Sequence, residues 1–376
     1  MKSDSQLFET LNLAGLPLRN RIVMAPMTTW ASNDDGTVSD AEDAYYRLRV
    51  KGIGLVITGC THVQANGIGF TGEFAADDDR FIRSLKKLAE AAKSGGAPAI
   101  LQIFHAGVKA IPELVSEVVA ASAVPGDASP FAATVTPRAL TEAEVLDAIN
   151  AFGQATRRAI EAGFDGIELH GAHGFLIQNF FSPHFNKRTD QWGGSLNNRM
   201  RFPLAVISEV RRVITQGADR PFVLGYRISV DEPTEDGLRI EDSLRLIDGV
   251  IASGADYVHV SLSDALTARP VGEPDGPTIV RILVDHIAGR VPLIAAGQIR
   301  TAEQARRALK DGLSLVAIGQ GLIMNPDWVE IAKHPTSAVA LELDPGDIAK
   351  LSIPQKLWTV IQAMTGWFKI RQPTMN

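Results

Sequence analysis

Eight short, almost continuously apolar runs punctuate the chain, at 22–24, 55–58, 99–104, 166–169, 222–228, 257–260, 291–295 and 315–318. A strand covered on both faces has no polar side, so unbroken runs of this length predict buried parallel strands. Between them lie longer stretches with helical periodicity, at 39–50, 79–93, 141–162, 198–213, 240–252, 277–287 and 301–309. Ser39, Thr141 and Thr301 stand where N-caps belong, while Gly95, Gly96, Gly163 and Gly312 stand where helices stop. Strand–helix alternation of this kind predicts a parallel sheet, and eight units close an α/β structure of the (β/α)8 TIM-barrel type. An open, doubly wound sheet is the competitor. It would place G-x-G-x-x-G after the first strand, where Ala25, Pro26, Met27 and Thr28 stand instead; Gly52 and Gly54 form only a G-x-G ahead of the second.

The remaining segments fit around one such barrel domain. Residues 7–19 read as an N-terminal hairpin closing its bottom, and residues 110–140, rich in Pro, Ala and Ser, as an excursion after the third strand. The barrel is expected over 1–335. Residues 336–376 are expected to form a C-terminal extension that packs on the barrel or on a neighbouring subunit.

Composition narrows the function. Hydrophobic residues make up 45% of the 376 and charged residues 21%, enough for a large core. A net charge of -6 without a Lys/Arg-rich run argues against a nucleic-acid partner. The N-terminal residues lack an apolar segment and no run reaches 18 apolar residues, so a cytoplasmic protein without a membrane partner is expected. Cys60 is the only cysteine, which excludes an intrachain disulfide and any cysteine-cluster metal site.

Chemistry in a barrel collects at the carboxyl ends of its strands. Those positions hold Thr28, Thr58 with Gly59, Gln102 with His105, His170 with His173, Arg227, Ser261, Gly297 and Gly319. A Gln, an Arg and two His converge on one mouth. Glycines after the seventh and eighth strands, with a helix opening at Thr301, offer backbone N–H groups to an anion, so a phosphorylated ligand is expected. On these residues alone a sugar-phosphate aldolase or isomerase stays open, although no strand end clearly offers a Schiff-base Lys or a Glu base. The H-x-x-H pair lacks the third ligand and nearby Glu of a zinc site, and no metal is expected. Arg188, Asp190 and Arg199 are expected to form a salt-bridged set that stabilises a loop, and Cys60 to be a small buried filler.

Three segments together resemble the old yellow enzyme family. They are 20–28 around the first strand, 101–107 around the third, and 163–202, which carries His170, His173, Ser182, Pro183, Asn186, Arg188, Asp190, Gly193, Gly194, Asn198 and Arg199. The likeness runs strand by strand over roughly residues 5–330, and its third segment is highly specific. It implies non-covalent FMN at the barrel mouth, reduced by NADH or NADPH through hydride transfer to flavin N5. It also implies a ping-pong cycle that delivers hydride to an alkene conjugated to a carbonyl or nitro group, a small electrophilic substrate.

By the same likeness Pro26 and Met27 pack on the isoalloxazine, and the Thr28 hydroxyl donates to flavin O4. Gln102 bonds the pyrimidine edge and Arg227 stands beside N1 and O2. His170 and His173 are the catalytic donors that grip the substrate carbonyl. Gly297, Gln298, Gly319 and Gln320 hold the phosphate, and Trp30 and Phe175 line the substrate pocket. A homodimer or higher homo-oligomer is implied as well, with Arg371 a candidate to reach a neighbour's site.

Three positions depart from the family pattern. Phe175 stands where many members have a Tyr that protonates the substrate α-carbon, so slower alkene chemistry or an unusual substrate is expected. Gln320 replaces a common phosphate-binding Arg and brings no charge, which shifts the expected contacts to backbone amides and helix termini. Trp30 stands where some members place a Tyr. A flavin-dependent NAD(P)H oxidase or dehydrogenase with another acceptor is therefore the alternative within this class.

Overall fold

In the computed structural model, which describes residues 6–126, 134–334 and 337–372, eight parallel strands lie side by side. They are β1 (Ile22–Met24), β2 (Leu55–Ile57), β3 (Ala99–Phe104), β4 (Gly166–Gly171), β5 (Val223–Ile228), β6 (Tyr257–Ser261), β7 (Leu293–Ala296) and β8 (Leu315–Ile318). Each pairs with the next, and Val316 of β8 aligns with Ile22 of β1, which closes the (β/α)8 barrel.

Period-two alternation along these strands decides what faces the barrel interior. Ile22 and Met24 of β1 join the large core beneath the helices, whereas Val23 and Ala25 join a smaller interior cluster. The same division places Leu55, Ile57, Ile100, Val223, Tyr257, Ile294 and Leu315 inside. Leu13, Leu16 and Leu18 complete that cluster from the hairpin Leu11–Leu13/Leu16–Leu18, which plugs the bottom as expected. The apolar layers sit low. Following the same register upward, β3 turns Gln102 inward, β4 turns Glu168 and His170, β5 turns Arg227, and β6 turns His259 and Ser261. Polar chemistry at the mouth is therefore the continuation of the interior face.

Helices Asp40–Arg49, Glu142–Glu161 and Ala302–Lys310 all open on capping boxes, with Ser39, Thr141 and Thr301 as N-caps answered by Glu42, Glu144 and Gln304. Each such N-cap contributes about 1 kcal/mol. In the excursion after β3, Val119–Ala120 pairs with Arg138–Ala139; residues 127–133 of it lie outside the described residues. So do 335 and 336, where the barrel was expected to end. The described part of the C-terminal segment lies against its own barrel. Arg49 Nη2 donates to Leu351 O at 2.6 Å, and the Trp367 ring meets Trp30 at 5.9 Å. Arg371 pairs within its own segment, with Asp344 at 2.9 Å.

The 182–199 loop corrects one expectation. Arg188 does pair with Asp190 at 2.6 Å and also donates to Ala121 O and Leu140 O. Arg199 takes no part in that set. Its guanidinium faces the other way, donating to Phe181 O and Gly194 O and approaching Asp242 at 3.5 Å. Buried carbonyls at a chain reversal need donors, and Arg199 supplies them.

Beside the mouth, the short strand Thr61–His62 carries a buried ion cluster. His62 Nδ1 meets Glu73 Oε1 at 2.8 Å and its Nε2 meets Asp77 Oδ1 at 3.5 Å. Burial disfavours the imidazolium, but the hydrogen bonds from Asp77 and Glu73 outweigh it and raise His62 to about 9. Burial raises Glu73 to about 7. Both groups hold their protons more tightly in the folded state, so their contribution to stability is largest at low pH. It is lost as pH rises, for Glu73 between its ordinary value and about 7, and for His62 between its ordinary value and about 9. The drop in melting temperature from pH 6 to pH 9.5 is therefore expected to be smaller in His62→Gln than in the parent. Equal drops in thermal melts would refute it.

Candidate active site

Between the carboxyl ends of β1, β5, β6, β7 and β8 lies a cavity of about 320 Å³. Pro26, Met27, Arg227, Gly297, Gln298, Gly319 and Gln320, all expected at the site, line it together with Ser261, Arg300 and Trp367. Backbone geometry shapes its far end. Gly297 has φ of 156° and Gln298 of 52°, and a Cβ on Gly297 would lie 2.7 Å from Leu262 O, so only glycine fits that turn. Gly319 approaches Met27 closely: an added Cβ would stand 3.1 Å from its Sδ.

Arg227, nearly buried on β5, donates from Nη2 to Ser261 Oγ at 3.0 Å, and its Nε has no partner among the described residues. Ser261 Oγ in turn lies 2.7 Å from His173 Nε2. The His173 and His170 rings stand 4.8 Å apart, and the Phe175 ring meets His170 edge-on at 4.8 Å. Phe175 packs against Phe104 as well, which holds it in an apolar corner. His170 and His173 both lie well below the ordinary imidazole range. Desolvation in the mouth is the first cause for each; His173 then opposes charge on His170, and Arg227 and Lys109 oppose it on His173. Both rings are neutral at pH 7. Ala172 N–H donates to His170 Nδ1 at 3.3 Å, which leaves the His170 proton on Nε2.

Three expected residues, Thr28, Gln102 and Trp30, stand outside the lining of this cavity. Gln102 is wholly buried and bonded to Glu168, and Cys60 Sγ donates to its Oε1 at 3.5 Å. Cys60 is buried, as expected of a small filler, and the nearby Thr28 side chain favours its thiolate. Burial first, then Glu73, pushes that thiol up to about 12, which keeps its proton on. Trp30 meets the site by way of Trp367 and Phe70, its rings edge-on at 5.9 and 5.4 Å. Lys109 donates to His173 O at 2.7 Å, while His105 is bound to Asn66 and its own turn.

Gln320, uncharged itself, lies beside a cation in the cavity wall. Arg300, from the loop after β7, donates from Nε and Nη2 to Gln320 Oε1 at 3.1 and 2.5 Å, and lines the cavity. Gln320 Nε2 donates onward to Trp367 O at 2.5 Å. Sequence reasoning passed over Arg300 because it stopped at the glycine and its neighbour; the Thr301 cap directly after it marked the helix start that points it inward. Glu168, Tyr257 and His259 were missed as well, hidden inside runs read as apolar; counting back two residues from His170 and Ser261 finds Glu168 and His259. Among the described residues no group of His, Cys, Asp and Glu could hold a metal ion, and no helix is long and apolar enough to cross a membrane.

Residues 6–337 match the sequence pattern of the NADH:flavin oxidoreductase / NADH oxidase family. The chain is 41% identical over 365 residues to the probable NADH-dependent flavin oxidoreductase YqiG of Bacillus subtilis (strain 168), covering 96% of this chain and 97% of that protein. It is 38% identical to the NADH:fumarate oxidoreductase of Klebsiella pneumoniae (strain 342), covering 97% of this chain but only 40% of that longer protein. Morphinone reductase in complex with tetrahydroNAD superposes with a TM-score of 0.78 at 27% identity, over 93% of this chain and 96% of that one. The cavity itself suits a flavin nucleotide, with an unpartnered guanidinium N–H at one side and a glycine turn, a helix N-terminus and a second Arg at the other. The chain belongs to the NADH:flavin oxidoreductase / NADH oxidase family and is an FMN-dependent oxidoreductase drawing electrons from NADH or NADPH.

Proposed function

We propose that the protein uses NADH or NADPH to reduce the C=C bond of alkenes conjugated to a carbonyl or nitro group. The pair of neutral imidazoles, His170 and His173, at the rim of the Arg227 cavity carries this reading. Bound FMN supplies the hydride chemistry. Ser261 accepts from Arg227 and shares a second hydrogen bond with His173 Nε2, while His170 keeps its N–H on Nε2. Two such donors hold a substrate oxygen and stabilise the negative charge that grows on it, as an oxyanion hole does. Pro26 and Met27 form a wall for the ring system, Thr28 and Gln102 serve its polar edge, and Arg227 sets a fixed cation beside it. Gly297, Gln298, Gly319 and Gln320 surround the phosphate, with Arg300 as its counter-charge. Trp30 and Phe175 bound the substrate space.

Phe175 has no proton to give, so water protonates the α-carbon. Phe175→Tyr is expected to speed reduction of 2-cyclohexenone roughly tenfold or more, because a placed general acid contributes on the order of 10²–10⁴ in rate. An unchanged rate in stopped-flow measurements would remove the proton-donor explanation.

A second reading has two supports of its own, Phe175 and the longer relatives. The Klebsiella protein and the NADH:acrylate oxidoreductase of Vibrio harveyi, 35% of whose length is covered, use this kind of chain as one part of a larger protein. In that reading NAD(P)H electrons pass to a separate acceptor. Anaerobic reduction of the yellow holoprotein by NADH or NADPH, followed by 2-cyclohexenone, separates the two. Return of the oxidised spectrum with the enone supports the ene-reductase. Return only with air or an artificial electron acceptor supports the alternative.

A further inference from the structure

Gln102 has two chemically different ends, and the fold fixes which goes where. Its Nε2 donates to Glu168 Oε1 at 2.7 Å. Glu168 is wholly buried and also receives the Tyr257 hydroxyl at 3.0 Å and His259 Nδ1 at 2.9 Å, both on Oε2. Gly225 makes room for this: a Cβ there would lie 2.0 Å from the Tyr257 ring that crosses it. Burial works against the carboxylate, but His259, through the hydrogen bond from its Nδ1, and then Arg227 and Gln102 outweigh it and hold Glu168 below the usual range. An ionised carboxylate only accepts. His259, pushed down by its burial, is neutral with its proton on Nδ1, and its Nε2 is buried without a partner. At the other end of the amide, the protonated Cys60 thiol donates to Gln102 Oε1 at 3.5 Å. Turning the amide over would set oxygen against a carboxylate oxygen, a conflict nothing there relieves, and would exchange the thiol donor for a weak sulfur acceptor.

We infer that Glu168 is a positioning residue that locks the Gln102 amide with its oxygen turned away from the carboxylate and open to a second donor beside the Cys60 thiol, so that the site selects a ring edge bearing an unsubstituted N–H. The pyrimidine edge of a flavin offers one such donor, N3–H, between two carbonyls. The inference rests on the proposed placing of Gln102 at the flavin edge, and its consequence is discrimination: a flavin with a methyl group on N3 leaves the buried Gln102 oxygen with the weak Cys60 thiol as its donor.

The test is reconstitution of the apoprotein with FMN and with 3-methyl-FMN, following flavin fluorescence to obtain both dissociation constants. The native protein is expected to prefer FMN roughly tenfold, the scale of one lost hydrogen bond. Gln102→Leu should bring the ratio to within about twofold. Glu168→Gln should remove most of it too, since a glutamine partner both donates and accepts and lets the Gln102 amide turn. Tyr257→Phe, which takes a donor from the same carboxylate without touching Gln102, should keep the native ratio. A native-like ratio in Glu168→Gln with a collapsed one in Gln102→Leu overturns the role of Glu168 and leaves the flavin-edge role standing. A native-like ratio in Gln102→Leu overturns both. Should Glu168→Gln not fold, FMN labelled with ¹⁵N at N3 gives the reading in the native protein: a protected N3–H supports the lock, and exchange at the free-flavin rate overturns it.

Discussion

Alanine at His170 or His173 is expected to slow reduction of 2-cyclohexenone by the reduced holoprotein roughly 10²–10³-fold, the effect of deleting one oxyanion donor. Reduction of the holoprotein by NAD(P)H should change far less. The asymmetry follows from where the two rings sit. They lie beside the cavity, where His173 meets the lining Ser261, and neither is part of the lining that holds the Gly297–Gln298 turn and Arg300. Their value is as neutral donors, which burial and the cations of Arg227 and Lys109 secure by resisting protonation. Stopped-flow traces of the two half-reactions check this separately. Parallel losses in both would place the histidines at the cofactor rather than the substrate.

Arg300→Met is expected to weaken FMN roughly 10–100-fold while leaving riboflavin almost unchanged, since a hydrogen bond to a charged group contributes about 1.5–3 kcal/mol and each 1.4 kcal/mol is tenfold. Among the described residues, Arg300 has the neutral Gln320 oxygen as its side-chain partner and no carboxylate at ion-pair distance, so its charge is available to an anion. The backbone is already committed elsewhere: Trp328 Nε1 donates to Arg300 O at 2.6 Å, and Arg300 N donates to Gln304 at 2.9 Å. That anchoring fixes where the guanidinium starts from. Restoring the charge from β8, in Arg300→Met combined with Gln320→Arg, should recover part of the FMN affinity. Fluorescence titrations with both flavins decide it, and equal weakening of FMN and riboflavin would mean that Arg300 acts on the fold instead.

Much of this protein is determined locally. Unbroken apolar runs define buried parallel strands whatever surrounds them, and Ser39, Thr141 and Thr301 start helices by satisfying N–H groups a few residues away. Those signals need no partner distant in the chain, so strand order, barrel closure and the bottom hairpin were legible from the residues. The mouth residues were legible for a related reason, because barrel strands end their interior face at one rim.

What stayed hidden depends on pairs far apart in the chain. Arg199 reads as a member of the Arg188–Asp190 set by proximity, yet the fold sends it to Phe181 O and Asp242. Gln320 reads as a loss of charge until the barrel brings Arg300 across from the neighbouring strand end. Gln102 carries no mark of which end of its amide is free until Glu168, 66 residues later, takes its N–H. Hydrophobic burial is non-directional and shows as a pattern along the chain. A buried hydrogen bond is directional and costly to leave unmade, so its partner is set only when the strands close.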